Sequence, residues 1–257
     1  MPVKTLLENQ RKNILSVKNL SFGFASNQTI LDDISFDIKT GEFVGIIGPN
    51  GSGKTTLVKC ILGLYKCKYD QINLFNTPIS KFKNWHIIGF VSQVGTSQNI
   101  DFPLTTKELL EISFTHDSGL GEKFAIDKVL DFLSIHDLKN KSIRSLSGGQ
   151  KQKVFIASSI INEPKLLFLD EPTMGIDQIS EQDFFAILNT LRDNLGTTVV
   201  MISHDIGTIS QKVDKILCLN GKLCVIENSN KSMSGKVSDE ISEFYHQNNL
   251  NFLVHRH

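Results

Sequence analysis

Gly48-Pro49-Asn50-Gly51-Ser52-Gly53-Lys54-Thr55-Thr56 follows directly on the apolar run Glu42-Phe43-Val44-Gly45-Ile46-Ile47, and the helical pattern Leu57-Val58-Lys59-Cys60-Ile61-Leu62 continues from it. Strand, glycine-rich turn and helix in that order form the context of a phosphate-binding loop, or P-loop. Gly48, Gly51 and Gly53 let the backbone turn tightly with successive N–H groups pointing inward, and the helix start adds the positive end of its dipole. Lys54 reads as a point charge bridging the outer phosphates, Thr55 as a hydroxyl offered to Mg²⁺, and Thr56 as a cap or a contact to the inner phosphate. Pro49, Asn50 and Ser52 complete the expected cradle.

The chain's 257 residues suffice for one large core, or for a main domain with an inserted subdomain. Lys+Arg and Asp+Glu both number 27, so no summed positive field draws the chain to nucleic acid or to an anionic membrane, and a polynucleotide partner is not expected. Cys60, Cys67, Cys218 and Cys224 form no C-x-x-C pair and read as reduced, mostly buried thiols of a cytosolic protein. The N-terminal residues contain no sustained apolar stretch, and no run approaches the ~18 apolar residues of a membrane span. Any membrane role must come through a partner.

Residues 14–24 and 28–38 alternate as antiparallel strands around a polar turn at Ala25-Ser26-Asn27. Short strands are expected at 70–75 and 85–91, the second running on to Ser92-Gln93. Helical patterns then dominate from 94, clearest at 105–114 and 124–133, with another at 151–161. A strand-and-helix rhythm resumes with strand 165–170, helix 180–195, strand 197–202, a short helix after Asp205, and strands 215–219 and 222–226. The predicted fold class is α/β: a P-loop NTPase core with a mainly parallel sheet, an antiparallel β subdomain at the N-terminus and an inserted α-helical subdomain. The expected division is a single domain in which 1–93 and 162–227 form the core, 94–161 the helical subdomain, and 228–257 a polar linker and tail.

Two further stretches carry chemistry. Leu166-Leu167-Phe168-Leu169-Asp170-Glu171 is an apolar strand delivering two carboxylates to its end: Asp170 suits Mg²⁺, and Glu171 suits a proton from an attacking water. Leu146-Ser147-Gly148-Gly149-Gln150 precedes a helix. It reads either as an N-cap with two flexible glycines or as a second anion site, with bare N–H groups and a serine hydroxyl. Two phosphate-reading elements far apart in sequence suggest a nucleotide clamped between them, within one chain or across a dimer.

Taken in order, the P-loop, Gln93 at a strand end, Leu146–Gln150, Leu166–Glu171 and Ile202-Ser203-His204-Asp205 resemble, over nearly the whole chain, the nucleotide-binding subunit of ATP-binding cassette (ABC) transporters. The resemblance implies a head-to-tail homodimer with two ATP molecules. Each is held by one chain's P-loop and by Ser147, Gly148, Gly149 and Gln150 of the other. It further implies that Gln93 senses Mg²⁺ and the permease, that His204 contacts the γ-phosphate, that Asp177 lies in the cross-dimer loop, and that Phe24 stacks on adenine where the family usually has a tyrosine. Lys153 and Ser158 stand where the family often has arginine; lysine cannot reproduce a bidentate guanidinium contact, so the departure touches local packing.

Less universal residues narrow the subfamily. Asn99 to Leu110, with its Phe102-Pro103-Leu104-Thr105, Asp170 to Asp177, with its Gly175-Ile176-Asp177, and Ser203 to Ser210 followed by Val213 to Asn220 resemble importers of zinc and related divalent metals. The implied function is an ATPase engine on the cytoplasmic face of the membrane, driving a permease supplied by a solute-binding protein, with zinc as cargo and manganese or an iron chelate as alternatives. A soluble ABC ATPase acting without transport is the reading from another class, and a small-metabolite kinase a third. The segment Phe102-Pro103-Leu104 is the expected permease contact, and His246, His255 and His257 read as part of a solvated tail.

Overall fold

In the computed structural model, residues 12–24, 28–92, 103–115, 122–173 and 178–227 are described, with Ile241, Glu243 and Phe244. In chain order the elements are β1 Asn13–Phe24, β2 Gln28–Lys39, β3 Phe43–Ile47, α1 Lys54–Ile61, β4 Gln71–Leu74, β5 Thr77–Pro78, β6 Ile88–Val91, α2 Thr106–Ser113, α3 Glu122–Phe132, α4 Gly148–Ile160, β7 Leu166–Asp170, α5 Gln178–Leu195, β8 Thr198–Ser203, α6 Ile206–Ser210, β9 Lys215–Asn220 and β10 Lys222–Glu227. Contacts divide the chain into two units with boundaries after Lys83 and after Val199, the first unit comprising both outer segments.

In the first unit, β1 is paired on both edges within a sheet of order β2-β1-β4-β5, and β1 with β2, β1 with β4 and β4 with β5 all run antiparallel. Leu15, Val17 and Leu20 of β1 are buried; the register with β2 shifts between Val17 and Leu20, where Asn19 takes φ 52°. A single irregular residue there lets a long strand keep its apolar side chains inward on both sides of the slip.

The same unit carries strands in the order β10-β9-β3-β8. β3 runs parallel to β9, with Gly45 opposite Ile216 and Ile47 opposite Cys218, and β10 returns antiparallel to β9 through Gly221. All five residues of β3 are buried, the pattern of a strand covered on both faces. Polar groups fix its N-terminal end. The Phe43 N–H donates to Asp214 Oδ2 at 2.9 Å, and the Asp214 N–H donates to the Phe43 carbonyl at 2.8 Å. Glu42 accepts from the Lys39 N–H at 2.8 Å and from the buried Lys215 Nζ at 3.3 Å, and Lys215 also donates to the Asp37 carbonyl at 3.0 Å. A buried ammonium with a carboxylate and a carbonyl around it is tolerated because its donors are used. One end of the strand is thereby fixed, and the other end feeds the glycine-rich loop.

The second unit pairs β6 with β7 in parallel, Gly89 opposite Leu167 and Val91 opposite Leu169. The expected strand 85–91 is shorter than its apolar pattern: Trp85–Ile87 is a 3-10 turn, and the ladder starts at Ile88. Trp85 is 39 % exposed, so the apolar run does not mark continuous burial there. The helical regions fall at α2, α3, α4 and α5. α2 begins at a reciprocal cap in which Thr105 Oγ1 accepts from the Glu108 N–H at 3.2 Å and Glu108 accepts from the Thr105 N–H at 2.7 Å. α4 starts at Gly148, three residues ahead of the expected Lys151, for the same reason, given below. Among the described residues no helix is long and apolar enough to cross a membrane.

Candidate nucleotide site

β3 hands the chain to the loop at Gly48, whose missing side chain is a packing requirement: a Cβ there would lie 2.3 Å from the Leu219 carbonyl oxygen and 2.6 Å from Ser52 Oγ. At the other end Gly53 is the N-cap of α1 with φ +97°, and a Cβ would lie 2.8 Å from Leu31 Cδ2. Both glycines are dictated by close approach, and Gly53 also by backbone conformation. A glycine N-cap places no side chain over the first-turn N–H groups of α1, which in a helix have no intrahelical acceptor.

Lys54 opens α1 and is 7 % exposed. Its ammonium curls back over the loop, donating to the Gly48 carbonyl at 2.8 Å and the Pro49 carbonyl at 3.0 Å. The Ser52 hydroxyl is buried and has no hydrogen-bond partner among the described residues. A buried donor left this way costs about 1–3 kcal/mol unless a ligand supplies the partner. A buried ammonium, an orphaned hydroxyl and a helix N-terminus around one loop fit an anion with several oxygen acceptors. Thr55 and Thr56 are half-buried on the first turn, and Asn50 and Gly51 are exposed.

Also in the first unit, His204 follows β8 directly and is exposed. Its two neighbours are fixed: the Asp205 N–H donates to Ser203 Oγ at 3.0 Å, and Asp205 caps α6 by accepting from the Thr208 N–H at 3.1 Å. Phe24, at the end of β1, is 54 % exposed. Farther along α1, burial pushes the Cys60 thiol up to about 12, with the neighbouring Cys67 adding to the rise. A thiol so disfavoured as thiolate is a packing group.

The second unit holds the remaining described candidates. Asp170 ends β7 and Glu171 follows it, both buried, and Glu171 takes φ 50°, a conformation a non-glycine residue adopts at a cost of about 1–3 kcal/mol. Ser147 is the N-cap of α4: its hydroxyl accepts from the Gln150 N–H at 3.3 Å, while Gln150 Oε1 accepts from the Ser147 N–H at 3.1 Å. The serine proton stays available for donation. A Cβ added to Gly149 would meet nothing within 4 Å. Packing within the chain therefore does not require that glycine, although glycine at a helix position costs about 1 kcal/mol against alanine.

The candidates thus fall into two groups: Phe24, 48–56 and His204 in the first unit, and 147–150 with Asp170 and Glu171 in the second. Gln93, Asp177 and Phe102, the turn 25–27 and the C-terminal histidines lie outside the described residues. Three neighbours of the candidates went unread in the sequence. Gln152, buried on α4, donates its side-chain amide to the carbonyl of Pro172, the residue after Glu171. Phe22 and Tyr65 contact the Phe24 ring. Phe22 could have been found, since positions two apart on a strand share a face; Tyr65 and Gln152 carry no local signal.

The family model described as ABC transporter matches residues 31–174. The chain is 37 % identical over 216 residues to the zinc uptake system ATP-binding protein ZurA of Listeria innocua, covering 82 % of this chain and 84 % of that one. It is 38 % identical over 216 residues to the high-affinity zinc uptake system ATP-binding protein ZnuC of Bacillus subtilis, covering 80 % and 91 %. Among solved structures it is similar to cbiO1 of Clostridium perfringens, part of the ABC transporter complex cbiONQ, with a TM-score of 0.75, 27 % identity and coverage of 93 % and 96 %. By the family match and by relatives aligned over most of both chains, the chain belongs to the ABC transporter family.

Proposed function

We propose that this chain is the ATP-hydrolysing subunit of an importer whose permease carries zinc across the membrane, and that it works on the cytoplasmic face, attached through that permease. The observation that carries this reading is the similarity to two zinc-uptake ATP-binding proteins over four-fifths or more of each chain, together with a loop built for an oxyanion. The whole chain acts as one cassette: 1–93 and 162–227 as its core, 94–161 as the helical signature-bearing part, 228–257 as linker and tail.

Within it the loop 48–56 holds the phosphates of ATP. Lys54 gives up the Gly48 and Pro49 carbonyls for phosphoryl oxygens, a stronger charge-assisted partner. Thr55, Asp170 and Gln93 are an oxygen-donor set suited to Mg²⁺, which when bound neutralises charge on the phosphates. Glu171 accepts a proton from the attacking water, and His204 donates to the γ-phosphoryl oxygens. Phe24 stacks on the base. Ser147, Gly148, Gly149 and Gln150 meet the ATP of a second copy of the chain, with Asp177 in the loop between the copies; the open space at Gly149 supports an approach from outside. Binding two ATP molecules closes the dimer and hydrolysis reopens it. Phe102, Pro103 and Leu104 dock the permease, and a solute-binding protein delivers the ion to it.

Growth under a zinc chelator tests the assignment. A strain lacking this chain should stop growing at chelator concentrations its parent tolerates and be rescued by zinc salts or by the intact gene, but not by a Lys54→Ala copy. Rescue by manganese or iron instead would reassign the cargo, and unimpaired growth would remove the transport role.

A further inference from the structure

The Phe24 ring lies at the end of β1, more than half exposed, and stands nearly perpendicular to two other rings. Its centroid lies 5.0 Å from that of Phe22 at an interplanar angle of 85°, and 6.2 Å from that of Tyr65 at 74°. Phe22 and Tyr65 are themselves stacked, 5.5 Å apart and within 11° of parallel. Phe22 is fixed by the β1 ladder opposite Leu31. Tyr65 is fixed by the P-loop helix: its N–H donates to the Lys59 carbonyl at 3.2 Å, and the Lys59 ammonium lies 5.4 Å from its ring centroid. The three rings join the end of β1 to the end of α1.

Edge-to-face contacts orient a ring while leaving its face available for another π system. An exposed phenylalanine without such support would sample several rotamers and lose that freedom on stacking against a ligand, at a cost of affinity. We propose that Tyr65, backed by Phe22, is a positioning residue that presets the Phe24 ring for the base of a nucleoside triphosphate, so that base recognition depends on a residue just past the end of the P-loop helix. This rests on the reading of Phe24 as the base-stacking ring. Tyr65 needs its ring for this and not its hydroxyl.

The test is equilibrium binding to the full-length chain of two probes, a non-hydrolysable ATP analogue and inorganic tripolyphosphate, which reports on the phosphate cradle without a base. Tyr65→Leu should weaken the analogue about three- to tenfold and leave tripolyphosphate unchanged, Tyr65→Phe should bind both like the parent, and Phe22→Leu should repeat the Tyr65→Leu pattern. Equal loss of both probes in Tyr65→Leu would place its effect on the phosphate loop and overturn the proposal. Unchanged analogue binding in Tyr65→Leu and Phe22→Leu, with a loss in Phe24→Ala, would overturn it while sparing the base-stacking reading. No loss in Phe24→Ala would overturn both.

Discussion

The side-chain amide of Gln152 donates to the carbonyl oxygen of Pro172, and both residues are buried. Gln152 sits a little over one turn along α4 from its cap Ser147, so the helix that begins at Gly148 grips the peptide just after Glu171. Glu171 holds φ 50°, and a conformation of that kind persists only when its surroundings fix it. Gln152→Leu keeps the volume and removes the donor. Urea unfolding should show a loss of about 1–3 kcal/mol, and steady-state assays a lower kcat with ATP-analogue affinity little changed. Parental kcat in that variant would show that the tie does not set the position of Glu171.

Gly48 and Gly51 should not be equally sensitive. Gly48→Ala drives a Cβ to 2.3 Å from a backbone carbonyl, whereas a Cβ on Gly51 meets nothing within 4 Å and suffers only its φ of +82°. Gly51→Ala should cost about 1–2 kcal/mol of strain. Gly48→Ala must move the loop against β9, and should lose nucleotide binding more than tenfold. Thermal unfolding and ATP-analogue titration of both variants check the order.

Gly149 separates stability from function in one substitution. It lies in the first turn of α4 with open space beyond its Cα, so Gly149→Ala should leave the fold intact or raise stability by up to about 1 kcal/mol through helix propensity. In the proposed dimer that methyl group meets the second copy's nucleotide, and it should nevertheless lower ATP turnover at least tenfold. Unchanged turnover would mean that nothing approaches that face during hydrolysis.

Cys60 gives the folded chain a pH dependence at the alkaline end. Its thiol is raised from the ordinary 9.0 to about 12, chiefly by burial, so above pH 9 the unfolded chain releases a proton that the folded chain keeps. Stability from this group is complete below pH 9 and is lost as pH rises toward 12. Denaturant unfolding between pH 8 and about 10.5 should therefore fall more steeply for the parent chain than for Cys60→Ala. Parallel curves would contradict the burial effect.

What the sequence revealed tracks how local the cause is. Strand, loop and helix around Gly48–Thr56 were legible because glycine, lysine and threonine act within a few residues of one another, and β1 with β2 because alternation reports a half-covered strand. The 3-10 turn at Trp85–Ile87 was hidden by an apolar pattern that a short strand shares. Ser147 was legible as an N-cap, but the helical pattern itself is clear only from Lys151; Gln150, three residues after Ser147, completes the reciprocal cap that starts α4 at Gly148. Gln152 with Pro172, and Tyr65 with Phe22, are joined only by tertiary packing, which no periodicity encodes. The Lys54 ammonium bound to its own loop carbonyls belongs with these: the residue type announces a phosphate partner, and only the fold shows which acceptors that phosphate must displace.

In the proposed mechanism one chain carries half of each ATP site, and Glu171 ends the closed state by assisting hydrolysis. Light scattering of Glu171→Gln tests this most directly. Without nucleotide the variant should have the 28.7 kDa mass of one chain, and with saturating ATP twice that mass, together with turnover reduced at least a hundredfold. A mass that stays at 28.7 kDa in ATP with parental turnover would contradict both the shared site and the role of Glu171.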